Sequence, residues 1–369
     1  MLQKLLLTLL ICLSSLSAHA RTVTDLAGRR VNLPDKVERV VLGEGRFMIA
    51  LAMLEGAALP SRIVGSMDEF SRLDPDGYAQ YLKRFPELAQ IPRVGQASAD
   101  SFSLEKTLSL KPQLAIFGLS GHGPSPKDET LLKGLQAAGV PVLFIDFRTD
   151  PLVNAPRSMR LLGQALGRER EAEAYLHFYE TELARVTDGL RGLQRKPRVF
   201  LESRVGLREE CCETMVRGMM GRFLDAAGGD NIARDLIPGE VGQLSAEYLL
   251  THQPDVYIAT AIGNRTTTQS GPQRIQMGAG ISAADAQASL MRRLQRMPIA
   301  ALTAVKTGRA HAVWHHFYDS PLNVVAVQAF AKWLHPERFA TLDPNATLRT
   351  LYERFQPIPL DGVYWTSAR

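Results

Sequence analysis

Apolar residues in this chain gather into short continuous runs, and between them lie stretches with helical spacing. That is the pattern of buried strands alternating with amphipathic helices. Runs at 37–42, 62–65, 114–117 and 142–146 predict strands in the first half, and runs at 198–202, 256–258 and 311–314 predict strands in the second. Helical spacing predicts helices at 47–54, 128–138, 154–166, 169–189, 214–227, 283–294 and 323–334, while the region up to Pro92 reads as a polar, proline-punctuated stretch. Such alternation predicts an α/β fold with mainly parallel sheets and helices on both faces.

One motif occurs twice. Ser103, Glu105 and Pro112 are matched 142 residues later by Ser245, Glu247 and Pro254 without a gap. Each copy reads as a Ser N-cap, a Glu in the first turn where the helix dipole favours an anion, a proline stop and a buried strand. The repeat predicts two similar, Rossmann-like α/β lobes. The helix at 154–166, with a cap at Asn154, Pro156 in its first turn and a stop at Gly167, is the candidate connection between them.

The first twenty residues read as a secretory signal, with Lys4, an apolar stretch from Leu5 to Leu16, and Ala18-His19-Ala20 as the cleavage site. Cys12 follows Ile11 where a lipoprotein signal needs a small residue, so no lipid anchor is expected. The expected organisation is a signal at 1–20, an N-terminal lobe at 21–150, a connecting helix within 151–167 and a C-terminal lobe at 168–369. No later run is long enough to span a bilayer. A soluble exported protein is expected.

Charge narrows the partners. With 43 basic and 38 acidic residues the chain carries a formal +5, or +4 once Lys4 is removed. The excess is dispersed, without the basic stripe of a nucleic-acid binder, and is compatible with an acidic small ligand. Cys211 and Cys212 remain after processing; either a vicinal disulfide or two buried thiols is consistent with their spacing.

In open parallel sheets ligands sit beyond the carboxyl ends of the strands. Those ends carry Gly43-Glu44-Gly45-Arg46-Phe47, a Gly-rich segment from Gly118 through Ser120 and His122 to Gly123, Phe147-Arg148, Ser203-Arg204, the segment from Thr260 to Asn264, and His315-His316-Phe317-Tyr318. Arg46, Arg148 and Arg204 are the strongest signal, because guanidinium forks suit carboxylate, phosphate or catecholate oxygens. Each could instead lie on the rim or pair with a neighbour such as Glu44 or Glu202. The glycines lack the strand-turn-helix context of a nucleotide fingerprint, so they read as turns or as points of close backbone approach. His315 and His316 are adjacent, and in extended chain they point to opposite faces, which disfavours a shared metal ion. Met215, Met219 and Met220 read as core residues of one helix. No hydrolase elbow, zinc-protease helix or redox cysteine spacing is present, so no catalytic residue is assigned.

The opening 23–34 with Val37-x-Arg39-Val-Val41, then Pro92-Arg-Val-Gly95, the run from Phe223 to Ile232, and Ser320-Pro-Leu322 leading to Trp333-Leu-His-Pro336 carry a family resemblance. In this order they resemble the periplasmic iron-complex binding proteins of ABC importers, which include ferric-siderophore and cobalamin receptors. The resemblance implies a periplasmic location and two lobes joined by one long rigid helix, with the ligand held between them and handed to an inner-membrane permease. It places permease-docking acids at Glu87 and Asp230, with Glu69 as the alternative to Glu87.

Together these readings make the chain a receptor for a ferric-siderophore-like complex. Arg46, Arg148 and Arg204 would face the anionic chelate, and Trp314, Phe317 and Tyr318 would cover its apolar parts. Phe47, Ser120, His122, Asn264, His315 and His316 complete the candidate site, and the 262–280 loop would act as a lid. No permanently bound cofactor is expected, since iron would travel within the ligand. The alternatives are haem, cobalamin or a bare metal ion held by His315 or His316, and a thiol enzyme using Cys211 or Cys212.

Overall fold

Two sheets organise the chain in the computed structural model, which describes residues 21–265 and 273–368. The secretory signal and the centre of the 262–280 loop lie outside these residues. After an antiparallel hairpin, β1 (Arg21–Thr24) and β2 (Arg30–Leu33), come β3 (Val40–Leu42), β4 (Ile63–Met67), β5 (Arg93–Gly95), β6 (Leu114–Gly118) and β7 (Val142–Ile145). These last five form a wholly parallel sheet in the order β5-β4-β3-β6-β7. Every residue of β3, β6 and β7 is buried, which is why the strands read as unbroken apolar runs.

The second sheet holds β8 (Arg198–Glu202), β9 (Glu213–Met215), β10 (Asp230–Asn231), β11 (Val241–Gln243), β12 (Val256–Ala261), β13 (Ala310–Trp314) and β14 (Trp365–Ser367). Its path runs β11-β9-β8-β12-β13-β14, with β10 also on β8. The ladder β8-β12-β13 is parallel and repeats β3-β6-β7, while β9, β11 and β14 pair antiparallel. The duplicated motif leads into β6 in one sheet and β12 in the other. Ser103 and Ser245 cap their helices as expected, accepting from the backbone N–H of Lys106 and of Tyr248.

Several expectations are corrected. The stretch before Pro92 is not irregular: it holds helices Glu69–Leu73 and Pro75–Arg84, the second capped by Asp74 with a proline in its first turn. The prolines there start elements as well as separating them. The connecting helix is Pro151–Leu166, one turn longer than predicted, so Pro156 lies inside it. Asn154 does not cap it; its amide donates to Asp146 Oδ2 at 2.8 Å. The helix expected at 214–227 is β9, a turn and the shorter helix Met220–Ala226, so the three buried methionines serve more than one element.

A continuous buried apolar cluster runs from Val31 and Val40 in the first lobe to Phe330 and Tyr364 in the second. The unpredicted C-terminal helix Pro344–Phe355 helps to close it. Just beyond that helix, Gln356 accepts the Tyr81 hydroxyl at 2.9 Å and donates to the Ile49 carbonyl at 3.1 Å. No helix among the described residues is long and apolar enough to cross a membrane.

Candidate functional site

The carboxyl ends of the two parallel ladders meet, and the loops beyond them build a floor of buried charge. Arg46 follows β3 in a 3-10 turn, Gly45–Phe47, and is 2% exposed. Its guanidinium lies 3.0 Å from Asp319, 3.6 Å from Glu44 and 4.0 Å from Glu69, and its backbone N–H donates to Glu69 Oε1 at 2.8 Å. Asp319 belongs to the second lobe, so this ion pair crosses between lobes. Arg148, after β7, donates to the Tyr318 hydroxyl at 3.0 Å and makes a second crossing. Asp146 fixes that loop by accepting from the backbone N–H groups of Arg148 and Thr149 at 3.0 and 2.9 Å.

Burial raises the pKa values of Glu44, Glu69 and Asp319 above the ordinary carboxylate range, and Asp319's charge adds to the effect on Glu44. Burial alone would weaken Arg46 as a cation, but Tyr318, Asp319, Glu44 and Glu69 together hold it protonated. Removing one member of such a cluster leaves uncompensated charge in a dry site, which is why these groups stand or fall together.

The three histidines are neutral. Burial, then neighbouring positive charge, lowers His122 to about 4, and the same causes hold His315 and His316 well below the usual imidazole range. They differ in what they offer. His316 Nδ1 lies 3.1 Å from Arg46 Nη1 and the ring also bonds the Leu73 backbone, so it is a strut between lobes. Thr260 Oγ1 accepts the Arg204 N–H at 2.7 Å and lies 3.0 Å from His315 Nδ1. The tautomer of His315 sets which of the two atoms donates. His122 bonds the Ala97 backbone and is half-buried at the rim. His315 and His316 occupy a 3-10 turn, His315–Asp319, rather than extended chain, and their rings stand 5.6 Å apart.

Other candidates separate by depth. Ser120 is exposed and lies 3.2 Å from Thr149 Oγ1; Arg148, Arg204 and Asn264 are half-buried. Asn264 accepts from Gln276 Nε2 at 3.4 Å through its backbone carbonyl. Arg204 pairs with Glu213, its Nε 3.1 Å away, and not with Glu202, which binds Arg296. Phe317 is fully buried against Trp314 and Tyr364, and Phe47 is buried near Phe147, so both are core residues beneath the site. Trp314 packs 5.3 Å from His316, below the rim instead of covering it. The glycines serve loop packing: a Cβ on Gly123 would run into the Gly43 carbonyl, and one on Gly121 into Glu44.

Sequence reasoning placed Glu44 and Thr260 at strand ends, Glu44 as an alternative partner for an arginine, and missed Glu69, Asp319 and Asp146 as site residues. Glu44 and Asp319 sit one or two positions from Arg46 and Tyr318, and that adjacency was the available signal. Glu69 is fully buried against Arg46, which removes it as a permease-docking acid, whereas Glu87 and Asp230 are exposed. Cys211 and Cys212 are joined by a disulfide across a cis peptide bond and so offer no thiol. Among the described residues no group of three or more His, Cys, Asp or Glu is arranged to hold a metal ion.

Residues 53–309 match the family described as periplasmic binding protein. The structure resembles that of the TroA-like periplasmic binding protein FepB from Veillonella parvula, with TM-score 0.84 and 25% identity over 94% of this chain and 99% of that one. Molybdate-binding protein MolA of Haemophilus influenzae is 27% identical over 149 residues, 40% of this chain and 38% of that protein's length. The MolA structure bound to molybdate aligns with TM-score 0.68 and 18% identity over 93% and 99% of the two chains. A periplasmic heme-binding protein from Pseudomonas aeruginosa aligns with TM-score 0.55 and 22% identity over 82% and 94%.

Proposed function

The chain belongs to the periplasmic binding protein family, whose members bind a small molecule and deliver it to an ABC permease, and we propose that its cargo is an anionic metal chelate of the ferric-siderophore type. One observation carries this reading: Arg148 and Arg204, half-buried and from opposite lobes, both lie near enough to His122 and His315 for their charge to act on them, beside a buried cluster of charge around Arg46. The half-buried guanidiniums suit the oxygens of an anionic ligand. His315 adds a polar ring edge, and the chelator brings the metal's coordination sphere, since no described cluster of protein ligands supplies one. Arg46 does not take part directly. It holds Tyr318 and Asp319, and through Tyr318 it positions Arg148.

Delivery follows from the surface. We infer that Glu87 and Asp230, exposed on separate lobes, dock the permease, each meeting a basic residue. The cargo arrives with its own iron and the protein retains no cofactor.

Titration of the purified protein with ferric catecholates, the metal-free catechol chelators, hemin and molybdate, read by tryptophan fluorescence, tests the proposal. Saturable quenching by the ferric complexes alone supports it. An equal response to metal-free chelator, or to hemin, overturns it. A small oxyanion is the second reading, favoured by the similarity to MolA, and a response to molybdate alone selects it.

A further inference from the structure

A cavity of about 410 Å³ opens on the C-terminal lobe; of the candidate site residues, Arg204 lines it, and none of the buried charges around Arg46 does. Its walls come from the chain following β8, the start of the Ala246–Thr251 helix, and Arg293 and Arg296 at the end of the Ala283–Leu294 helix. Small-molecule sites span roughly 300–1,000 Å³, so the size suits a compact ligand.

The lining charge is unbalanced in a specific way. Arg204, Arg208, Arg293 and Arg296 face Glu202, Glu210 and Glu213. Two of the acids are committed, Glu202 to Arg296 and Glu213 to Arg204. Among the described residues no carboxylate lies within ion-pair distance of Arg208 or Arg293, and the buried Nε of Arg293 has no hydrogen-bond partner. Burial first, and then the like charge of Arg296, make Arg293 a less comfortable cation than usual. Two open guanidiniums backed by two neutralised ones form a receptor for an anion that the protein itself does not supply.

We propose that this cavity binds a small carboxylate-bearing molecule, with Arg208 and Arg293 gripping carboxylates and the Arg296–Glu202 and Arg204–Glu213 pairs holding the walls. Guanidinium forks match planar carboxylates through two parallel hydrogen bonds, which a lysine ammonium reproduces only in part. Arg204 serves both sites, and its charge reaches His122 and His315. The carboxylate therefore comes either from a free organic acid or from a pendant arm of the cargo.

Tricarballylate, a tricarboxylate lacking the hydroxyl that helps citrate chelate iron, is the probe. Calorimetric titration of the purified full chain at constant ionic strength gives saturable binding that Arg293→Gln weakens by about 10- to 100-fold, the effect of removing a charged hydrogen-bond donor. Arg148→Gln weakens ferric-chelate binding and spares tricarballylate. Circular dichroism and melting temperature verify that both variants fold, and Arg293→Lys falls between wild type and glutamine. If Arg293→Gln also weakens ferric chelates that carry a free carboxylate, and only those, the source is an arm of the cargo. Unaffected chelate binding points to a free acid. Absence of saturable binding, or equal losses through Arg148→Gln and Arg293→Gln, overturns the second site. Chelate quenching is read separately, so either proposal can fail alone.

Discussion

Arg46 and Arg204 occupy corresponding positions in the two lobes and have opposite fates. Each follows the first strand of its parallel ladder, beside the duplicated strand. Arg46 is buried among three carboxylates, one from the other lobe, and touches no solvent a ligand could replace. Arg204 has one carboxylate, stands half-buried, and adopts a left-handed backbone with φ 49°. A strand-end address thus says where a side chain arrives. The local sum of charge decides whether it is spent on the fold or left for a partner.

The largest break in that comparison is Arg46→Met. Three carboxylates then share a dry site without their cation, and stability in urea falls by about 3–5 kcal/mol. A loss below about 1 kcal/mol, the scale of an exposed pair, would contradict the buried-cluster reading.

Acid comes next. His122 titrates at about 4 in the fold against an ordinary 6.5, so its contribution is complete above pH 6.5 and is lost as pH falls towards 4. That contribution is about 3 kcal/mol. Asp74 acts in the opposite sense: burial raises it from 3.8 to about 6, so its contribution is present below pH 3.8 and is lost as pH rises through 6. His122→Asn should therefore flatten the fall in urea midpoint between pH 6.5 and 4.5 relative to wild type; an unchanged slope would remove His122 from the account.

Arg204→Gln should change stability by less than about 1 kcal/mol, because its ion pair is partly exposed. Its effect belongs to binding, and chelate affinity measured by fluorescence should drop while the urea midpoint holds. The smallest effect on the fold is expected from charge reversal at exposed Glu87 and Asp230, within about 0.5 kcal/mol. Uptake in cells should nevertheless collapse while purified protein binds cargo normally.

Much of the architecture was legible because its signals are local. Ser103 and Ser245 announce their helices through one side-chain bond each, and β6 and the first four residues of β12 are unbroken apolar runs. The antiparallel strands were not legible: β9, β11 and β14 are three residues each, too short for a periodicity to register. The positions of Arg148 and Arg204 could be foreseen from strand order. The burial of Arg46 could not, since Asp319 lies 273 positions away in the chain and only tertiary folding brings it close.

The continuous core and the Gln356 stitch bear on how the molecule comes apart. Two lobes with private cores would melt in two steps and could be expressed as halves. Here the apolar cluster is shared, and the chain between β13 and β14 returns to hold Tyr81 and Ile49 of the first lobe. A fragment ending at residue 167 would expose apolar surface that the missing half was to cover. Heat should therefore dissolve both lobes in a single calorimetric peak, and any opening that admits cargo must be a tilt about a common interior instead of a swing of two independent bodies.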